Sequence, residues 1–255
     1  MLKGKNVLIT GASAGIGKAI AENFAENSAN LILVARRKDK LDSLSTNLRN
    51  KYKINIVTLN VDIRSFDKIE SAIKSLPDGF RKIDILINNA GKAKGLDKIH
   101  EGNINHWDEM IDTNIKGLLY FTKCISPQMV ERHDGHIINI GSIAGIEVYP
   151  GGNVYCGTKF AVRALSKGMV IDLNGTGVKV TNIQPGLVET EFSGVRFDGD
   201  SERAKSTYQG YNPLQAEDIA DIALFCVTRK SRVMIQEITV TPTDQASAMV
   251  LNKKT

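Results

Sequence analysis

The sequence has few of the features that mark secreted, metal-binding or membrane proteins. Its 255 residues include three widely separated cysteines without a CxxC motif, namely Cys124, Cys156 and Cys226. This odd number suggests neither a disulfide framework nor a zinc site, and the four histidines also lack ligand spacing, so no metal is expected. No apolar stretch approaches the ~20 residues that span a bilayer, and the first residues run directly into a strand-like segment. We therefore expect a soluble, unsecreted protein of the reducing cytoplasm, with no membrane partner.

Charge and length narrow the class of protein. The net charge is +5 and the pI is about 9.0, but the basic residues are spread along predicted helices with acidic residues among them. This distribution indicates a bland basic surface with no nucleic-acid partner, or a weak attraction for a polyanionic small molecule. A composition of 42% hydrophobic and 24% charged residues at this length fits one large α/β domain or two small ones.

Strand and helix patterns alternate along the whole chain. Short apolar runs predict strands at 6–10, 31–35, 54–60, 83–87, 136–140, 178–184 and 236–241. Helical patterns lie between them at about 16–27, 38–50, 65–75, 104–130, 155–173 and 216–227. This order predicts a single doubly wound Rossmann-type α/β domain over residues 1–255, with a mostly seven-stranded parallel sheet flanked by helices. The segment 187–212 is polar and lacks clear periodicity, which suits a mobile cover over a bound ligand.

A glycine-rich turn separates the first strand from the first helix. Glycines at 11, 15 and 17 leave no Cβ in the way, so backbone N–H groups and a helix amino terminus can approach a pyrophosphate. The alternative is an ordinary tight turn, but the position between strand and helix favours a dinucleotide. The residues expected to contact the cofactor here are Gly11, Ser13, Ala14, Gly15, Ile16 and Gly17.

The end of the second strand lacks the acidic residue that usually binds the ribose 2′-hydroxyl of NAD. Ala35 is followed instead by Arg36 and Arg37, two guanidinium groups that can bind a 2′-phosphate. The alternative is a solvent-exposed charge pair leading into the next helix, and Asp39 fits either interpretation. The sequence therefore predicts NADP(H) rather than NAD(H) as the cofactor.

Two further strand ends carry polar residues suited to the same cofactor. Asp62, which Ile63 follows, could accept a hydrogen bond from the adenine amino group, or it could cap the next helix. Asn88 and Asn89 could support neighbouring strand ends while letting a ribose lie close by, or they could form a plain turn.

The residues with the clearest chemical potential are Tyr155 and Lys159, which lie one helical turn apart. A cation close to a phenol favours the phenolate, so the pair could pass a proton to or from an alcohol, although a solvated helix face has the same spacing. Ser142 follows a predicted strand, at the edge where such sheets bind ligands. Asn114 lies inside a helical pattern, where its amide needs partners; it could bond to backbone or hold an ordered water.

Together these motifs resemble the short-chain dehydrogenase/reductase family over essentially the full chain. They are TGASAGIG at 10–17, NNAG at 88–91, Asn114, Ser142, YCGTK at 155–159 and Pro185-Gly186. Within the family, DTN at 112–114, HIINIGS at 136–142, GGNVY at 151–155 and PGLVETEFS at 185–193 resemble the NADP-dependent 3-hydroxy acid dehydrogenases. Those enzymes, also named serine or L-allo-threonine dehydrogenases, oxidise the 3-hydroxyl of small acids and reduce malonic semialdehyde. The similarity weakens over the last dozen residues.

The resemblance implies a role for each motif residue. Tyr155 would exchange a proton with the substrate oxygen while hydride moves to or from the nicotinamide, and Ser142 would donate to the same oxygen. Lys159 would lower the pKa of Tyr155 and hold the nicotinamide ribose, and Asn114 would hold a water connecting Lys159 to solvent. The resemblance also implies a homotetramer. Further cofactor contacts are expected from Ile63, Asn89, Tyr155, Lys159, Pro185, Gly186, Val188 and Thr190.

A 3-hydroxy acid also needs a cation for its carboxylate, and Arg196 is the candidate on charge and position. With Ser142 and Tyr155 it completes the expected substrate contacts. The alternative is that Arg196 pairs with Asp198 or Glu191 on the surface. Two other functions remain open, namely a general carbonyl or 3-oxoacyl reductase of the same fold and a protein that senses NADP(H) without chemistry.

Overall fold

A computed structural model describes residues 2–197 and 199–253 as one α/β domain built on a seven-stranded sheet. The strands are β1 Asn6–Thr10, β2 Asn30–Ala35, β3 Ile56–Asn60, β4 Ile85–Asn88, β5 Gly135–Ile140, β6 Val178–Pro185 and β7 Glu237–Val240. Their spatial order is β3-β2-β1-β4-β5-β6-β7 and every pairing is parallel. The predicted parallel Rossmann-type sheet is therefore confirmed.

Helices cover both faces of the sheet. They are α1 Gly15–Glu26, α2 Lys38–Tyr52, α3 Phe66–Lys74, α4 Asp78–Arg81, α5 Ile104–Ile111, α6 Gly117–Glu131, α7 Asn153–Asp172, α8 Phe192–Arg196, α9 Ser201–Ser206 and α10 Ala216–Val227. Alternation along each strand divides the core between the faces, since Val7 and Ile9 pack into one apolar cluster and Leu8 into the other. Burial on both faces explains why the strands read as continuous apolar runs.

The predicted helical stretch at 104–130 is confirmed, but it is not one regular α-helix. A π-helical turn, Asp112–Lys116, separates α5 from α6, and Asn114 lies within it. Turns of this kind interrupt the regular hydrogen-bond ladder and often occur at functional sites. Periodicity could not predict the interruption, because the residues on both sides still follow a helical pattern.

The segment 187–212 also contains more structure than its sequence indicates, because α8 and α9 both lie within it. At five and six residues they are too short to produce a readable apolar period. The short α4 was missed for the same reason. Two strands begin two residues later than predicted, at Ile56 and Ile85. Before the second of these, the Asp84 carboxylate accepts a hydrogen bond from the Asn6 backbone N–H at 2.9 Å.

Candidate active site

The predicted site residues gather at the carboxyl ends of β1, β4 and β5. The chain runs outward from β1 to β2 and β3 and then returns to place β4 on the other side of β1. Helices leave the sheet in opposite directions at such a switch point, so a crevice opens there. The fold therefore provides a binding crevice where the sequence motifs converge.

Close packing requires glycine in the turn between β1 and α1. Gly11 and Gly15 have φ of 69° and 51°, and a Cβ on Gly17 would collide with the Asn89 amide and with the Gly11 carbonyl oxygen. Ala14, at the N-cap of α1, provides no side-chain cap, which leaves the first helical N–H groups to an anion. The turn can therefore hold a pyrophosphate against the helix amino terminus.

The asparagines at the end of β4, Asn88 and Asn89, connect strand ends rather than forming a plain turn. Asn89 Nδ2 donates to the Thr10 carbonyl at 2.9 Å, and the Asn89 backbone N–H donates to Thr10 Oγ1 at 3.0 Å. Asn88 Nδ2 donates to Asn139 Oδ1 at 2.9 Å, which joins β4 to β5. These contacts fix the floor of the crevice beside the glycine-rich turn.

Arg37, the exposed N-cap residue of α2, extends its side chain to the glycine-rich turn. Its Nε and Nη2 donate to Ser13 Oγ at 3.2 and 3.1 Å, and its Nη1 donates to Glu191 Oε2 at 2.8 Å. Lys40 Nζ contacts the other oxygen of the same carboxylate at 2.9 Å. The guanidinium group is therefore hydrogen-bonded to the glycine-rich turn and is not simply a solvated charge, and its contact with a 2′-phosphate stays a prediction. Nothing in the sequence indicated that Lys40 and Glu191 lie beside Arg37.

Asp62 is bound by the residue two positions after it. Arg64 donates to both carboxylate oxygens through Nε, at 3.0 Å each, and to Oδ2 through Nη2 at 2.6 Å. These hydrogen bonds lower the pKa of Asp62 to about 2. The N-cap of α3 is Ser65, so the proposed capping role of Asp62 is wrong. Contact with adenine stays a prediction for Asp62, as does contact with the cofactor for Ile63, whose side chain packs against Gly117.

Tyr155 and Lys159 are buried in the first part of α7, with 8% and 6% of their surfaces exposed. Lys159 Nζ donates to the Ile140 carbonyl at 2.9 Å and lies 6.0 Å from the centre of the Tyr155 ring. Ser142 follows β5, and its Oγ accepts from the Ala144 N–H at 3.1 Å. A solvated helix face is therefore wrong for this pair, which the fold brings together with Ser142.

Burial dominates the ionisation of both groups. It raises the pKa of Tyr155 well above 10, against the opposing effects of a hydrogen bond from Ser142 and the positive charge of Arg196. It lowers the pKa of Lys159 to about 8. The phenol is consequently protonated at neutral pH in this arrangement, which is the form that can donate a proton. The expected lowering of the Tyr155 pKa by Lys159 is therefore wrong here, because burial outweighs the nearby cation.

Asn114 forms hydrogen bonds that join the segment after β4 to α7. Its Oδ1 accepts from the Lys92 N–H at 2.8 Å, and its Nδ2 donates to the Lys92 carbonyl at 2.9 Å and to Thr158 Oγ1 at 3.0 Å. Both amide protons are thereby used, so the side chain bonds to backbone as in the first of the two sequence interpretations. A Cβ on Gly91 would lie 3.4 Å from Asn114 Oδ1 and 3.5 Å from Lys159 Nζ, which shows how closely these groups surround Gly91.

Arg196 lies directly beside the Tyr155 phenol at the end of α8. Its guanidinium carbon is 5.7 Å from the centre of the Tyr155 ring, its Nη1 donates to the Tyr149 hydroxyl at 2.9 Å, and its Nε donates to the Gly95 carbonyl at 3.2 Å. The alternative pairing with Glu191 is wrong, because that carboxylate contacts Arg37 and Lys40. Asp198, the other alternative, lies outside the described residues. The contact with Tyr149 had no signal in the sequence.

The other expected cofactor contacts follow β6 along the crevice. The Gln245 side chain accepts from the Leu187 N–H at 2.8 Å and would collide with a Cβ on Gly186, so Pro185 and Gly186 are held closely. Val188 then bridges to Leu214, and Thr190 packs over the glycine-rich turn, where a Cβ on Gly15 would meet its Cβ at 3.2 Å.

Residues 2–197 and 199–253 contain no group of three or more His, Cys, Asp or Glu arranged to hold a metal ion. Across the same residues no helix has the length and apolar character needed to cross a membrane. All three cysteines are free thiols.

Comparison with known proteins identifies the family. A family model described as short chain dehydrogenase matches residues 5–200. The NADP-dependent 3-hydroxy acid dehydrogenase YdfG of Salmonella typhi is 46% identical over 243 residues, covering 95% of this chain and 96% of that protein. The enzyme named NADP-dependent 3-hydroxy acid dehydrogenase in Schizosaccharomyces pombe is 41% identical over 254 residues, covering 99% of this chain and 98% of its own. A solved structure of the closed form of serine dehydrogenase complexed with NADP+ is 43% identical, with a TM-score of 0.91 over 98% of this chain and 100% of that one. The chain therefore belongs to the short-chain dehydrogenase family.

Proposed function

We propose that this protein is an NADP(H)-dependent dehydrogenase that interconverts the 3-hydroxyl and 3-oxo groups of small acids. Serine, allo-threonine and the pair 3-hydroxypropionate and malonic semialdehyde represent the substrate class. The observation that carries the proposal is the position of Arg196, whose guanidinium group lies 5.7 Å from the ring of Tyr155. The names of the relatives from Salmonella typhi and Schizosaccharomyces pombe support the same class.

The cofactor proposal rests on the fit of the crevice. The glycine-rich turn accepts a pyrophosphate, and Arg37 lies 3.1 Å from Ser13 Oγ, beside the ribose position beyond β2. A carboxylate after β2 would repel a 2′-phosphate, but the chain has Arg36 there. Bound NADP(H) would supply or accept the hydride at the nicotinamide.

The chain's own residues handle the proton and the developing charge. In reduction, Tyr155 gives its phenolic proton to the substrate oxygen, and in oxidation it takes the proton back. Ser142 donates to the same oxygen, where a dry pocket strengthens the hydrogen bond. Lys159, fixed by the Ile140 carbonyl, lies close enough to favour the phenolate as the proton leaves.

Arg196 gives the site its preference for acids by binding the substrate carboxylate. A guanidinium group binds a carboxylate through two parallel N–H donors, and the neutral partners it has here, the Tyr149 hydroxyl and the Gly95 carbonyl, can be exchanged for a charged one. Its distance from Tyr155 suits a substrate whose carboxylate and reacting carbon are separated by one carbon. The Phe192 ring lies beside the same position, since its centre is 5.8 Å from the centre of the Tyr155 ring.

Substitution of Arg196 tests the substrate class. Arg196→Ala should raise KM for L-serine and 3-hydroxypropionate about 10- to 100-fold, because a charge-assisted hydrogen bond contributes about 1.5 to 3 kcal/mol. KM for an uncharged 3-oxo ester should change little. Arg203→Ala is the matched control. Arg203 lies on α9, the short helix that follows α8, and its guanidinium carbon is 4.5 Å from the centre of the Phe197 ring.

The same assay separates the alternatives. Unchanged KM for the acids in Arg196→Ala, with better turnover of uncharged ketoesters, would identify a general carbonyl or 3-oxoacyl reductase. Absence of NADPH formation at 340 nm with every acid and alcohol tested would leave only an NADP(H)-sensing protein.

Assembly and location are part of the proposal. A homotetramer would cover apolar side chains that α7 exposes, since Phe160 is 40% and Ile171 65% exposed. Light scattering should then give about four times the 27.9 kDa of one chain. A cytoplasmic location is consistent with three free thiols that lack partners for a disulfide.

A further inference from the structure

Glu191 places a carboxylate between the two cations nearest the expected 2′-phosphate position. Its Oε2 accepts from Arg37 Nη1 at 2.8 Å and its Oε1 from Lys40 Nζ at 2.9 Å. The cations lower the pKa of Glu191, so the carboxylate is charged at neutral pH. A residue of the covering segment therefore partly neutralises the cationic site expected to distinguish NADP(H) from NAD(H).

A 2′-phosphate would need the same donors. The Nε and Nη2 atoms of Arg37 contact Ser13 Oγ, and Nη1 contacts Glu191. A phosphate that approaches this guanidinium must replace the carboxylate or lie beside a like charge, and either event costs binding free energy. A cofactor without the 2′-phosphate leaves the ion pair intact and does not meet this cost.

Glu191 also connects the cations to the catalytic side chains. It is the N-cap residue of α8, and the preceding Thr190 packs over Gly15 in the glycine-rich turn. Phe192, the first residue of α8, contacts the Tyr155 ring, and Arg196 ends the same helix. The two ion pairs therefore hold α8 across the crevice from the cofactor side.

We propose that Glu191 is a specificity-determining residue whose carboxylate competes with the 2′-phosphate of NADP(H) for Arg37 and Lys40. The competition lowers affinity for the phosphorylated cofactor and connects its binding to the amino-terminal end of α8. The inference rests on the proposed NADP(H) dependence and is independent of which hydroxy acid is the substrate.

Binding of NADPH and NADH to the full chain, measured by titration calorimetry at low salt, tests this idea without catalysis. Glu191→Gln should bind NADPH about three- to fivefold more tightly than the unsubstituted protein, because partly exposed charge pairs of this kind contribute up to ~1 kcal/mol. Its Kd for NADH should stay within about twofold. The gain should shrink at high salt, since screening weakens interactions between exposed charges.

Two further variants make the result decisive. Glu189→Gln removes a carboxylate two residues away that contacts Gln215 instead of the cations, and it should reproduce the unsubstituted protein. Glu191→Ala should match Glu191→Gln. If the unsubstituted protein prefers NADPH but both Glu191 variants bind it no more tightly, the inference about Glu191 is overturned and the cofactor proposal stands. A preference of the unsubstituted protein for NADH would overturn the cofactor proposal together with it.

Discussion

The stability of the protein should fall below neutral pH because His136 is buried in its uncharged form. His136 Nε2 lies 2.8 Å from Thr181 Oγ1, and the Thr181 hydroxyl donates to the Ile235 carbonyl at 2.6 Å. Thr181 Oγ1 therefore accepts, and His136 is the Nε2–H tautomer. Burial, with a smaller contribution from the positive charge of Lys179, lowers the pKa of His136 from 6.5 to about 3.

The sign and size of the effect follow from proton linkage. Between pH 6.5 and pH 3 the unfolded chain binds a proton at His136 and the folded protein does not, so stability is complete above 6.5 and is lost as the pH falls toward 3. Each pH unit costs about 1.4 kcal/mol in this window, which gives about 2 kcal/mol between pH 7.5 and 5.0.

Urea unfolding of His136→Gln at these two pH values measures that contribution. The variant should lose about 2 kcal/mol less than the unsubstituted protein on acidification, whatever its stability at pH 7.5, because the other titrating groups are common to both. His100→Gln removes an exposed histidine and should keep the original pH dependence. Equal losses in the His136 variant and the unsubstituted protein would refute the argument that this imidazole stays neutral in the fold.

Two other substitutions test the site directly. Tyr155→Phe should reduce turnover about 10²- to 10⁴-fold while Kd for NADPH stays within about twofold, and near-normal turnover would remove Tyr155 as the proton donor. Gly17→Ala should destabilise the protein by ~1–3 kcal/mol and weaken NADPH binding, because its Cβ would meet the Asn89 amide and the Gly11 carbonyl. Gly79→Ala, at a helical position on α4 where a Cβ has open space, should instead stabilise it by ~0.5–1 kcal/mol in urea unfolding. Loss of stability in both glycine variants, or in neither, would contradict the steric reasoning.

Local sequence patterns were sufficient for the sheet and for the residues at its strand ends. Alternating apolar runs and helical periods predicted seven parallel strands, and the edge where parallel strands end follows from that topology. Gly11 and Gly17 were readable because the close approach of backbone to backbone excludes a Cβ. The position of Ser142 followed in the same way from the end of β5.

Long-range contacts could not be read from the chain. Asn114, within the π-helical turn, is hydrogen-bonded to the backbone of Lys92, which is 22 residues away. No spacing rule relates Arg196 to Tyr149, or Glu191 to a guanidinium group 154 residues earlier. These contacts decide whether a charged side chain serves the site or the surface, and only the folded arrangement distinguishes the two.

The position of α8 is set entirely by such contacts. A helix of five residues has too few internal hydrogen bonds to be stable alone, so its place depends on tertiary partners. Those partners are the cations bound by Glu191 at its start, the Tyr155 ring against Phe192, and the Tyr149 hydroxyl bound by Arg196 at its end. A ligand that replaces any one of them changes the free energy of holding the helix, and thereby the affinity for a ligand at the other end. Cofactor phosphate and substrate carboxylate can in this way influence each other through six consecutive residues, because the two charged groups are bound at opposite ends of the same helix.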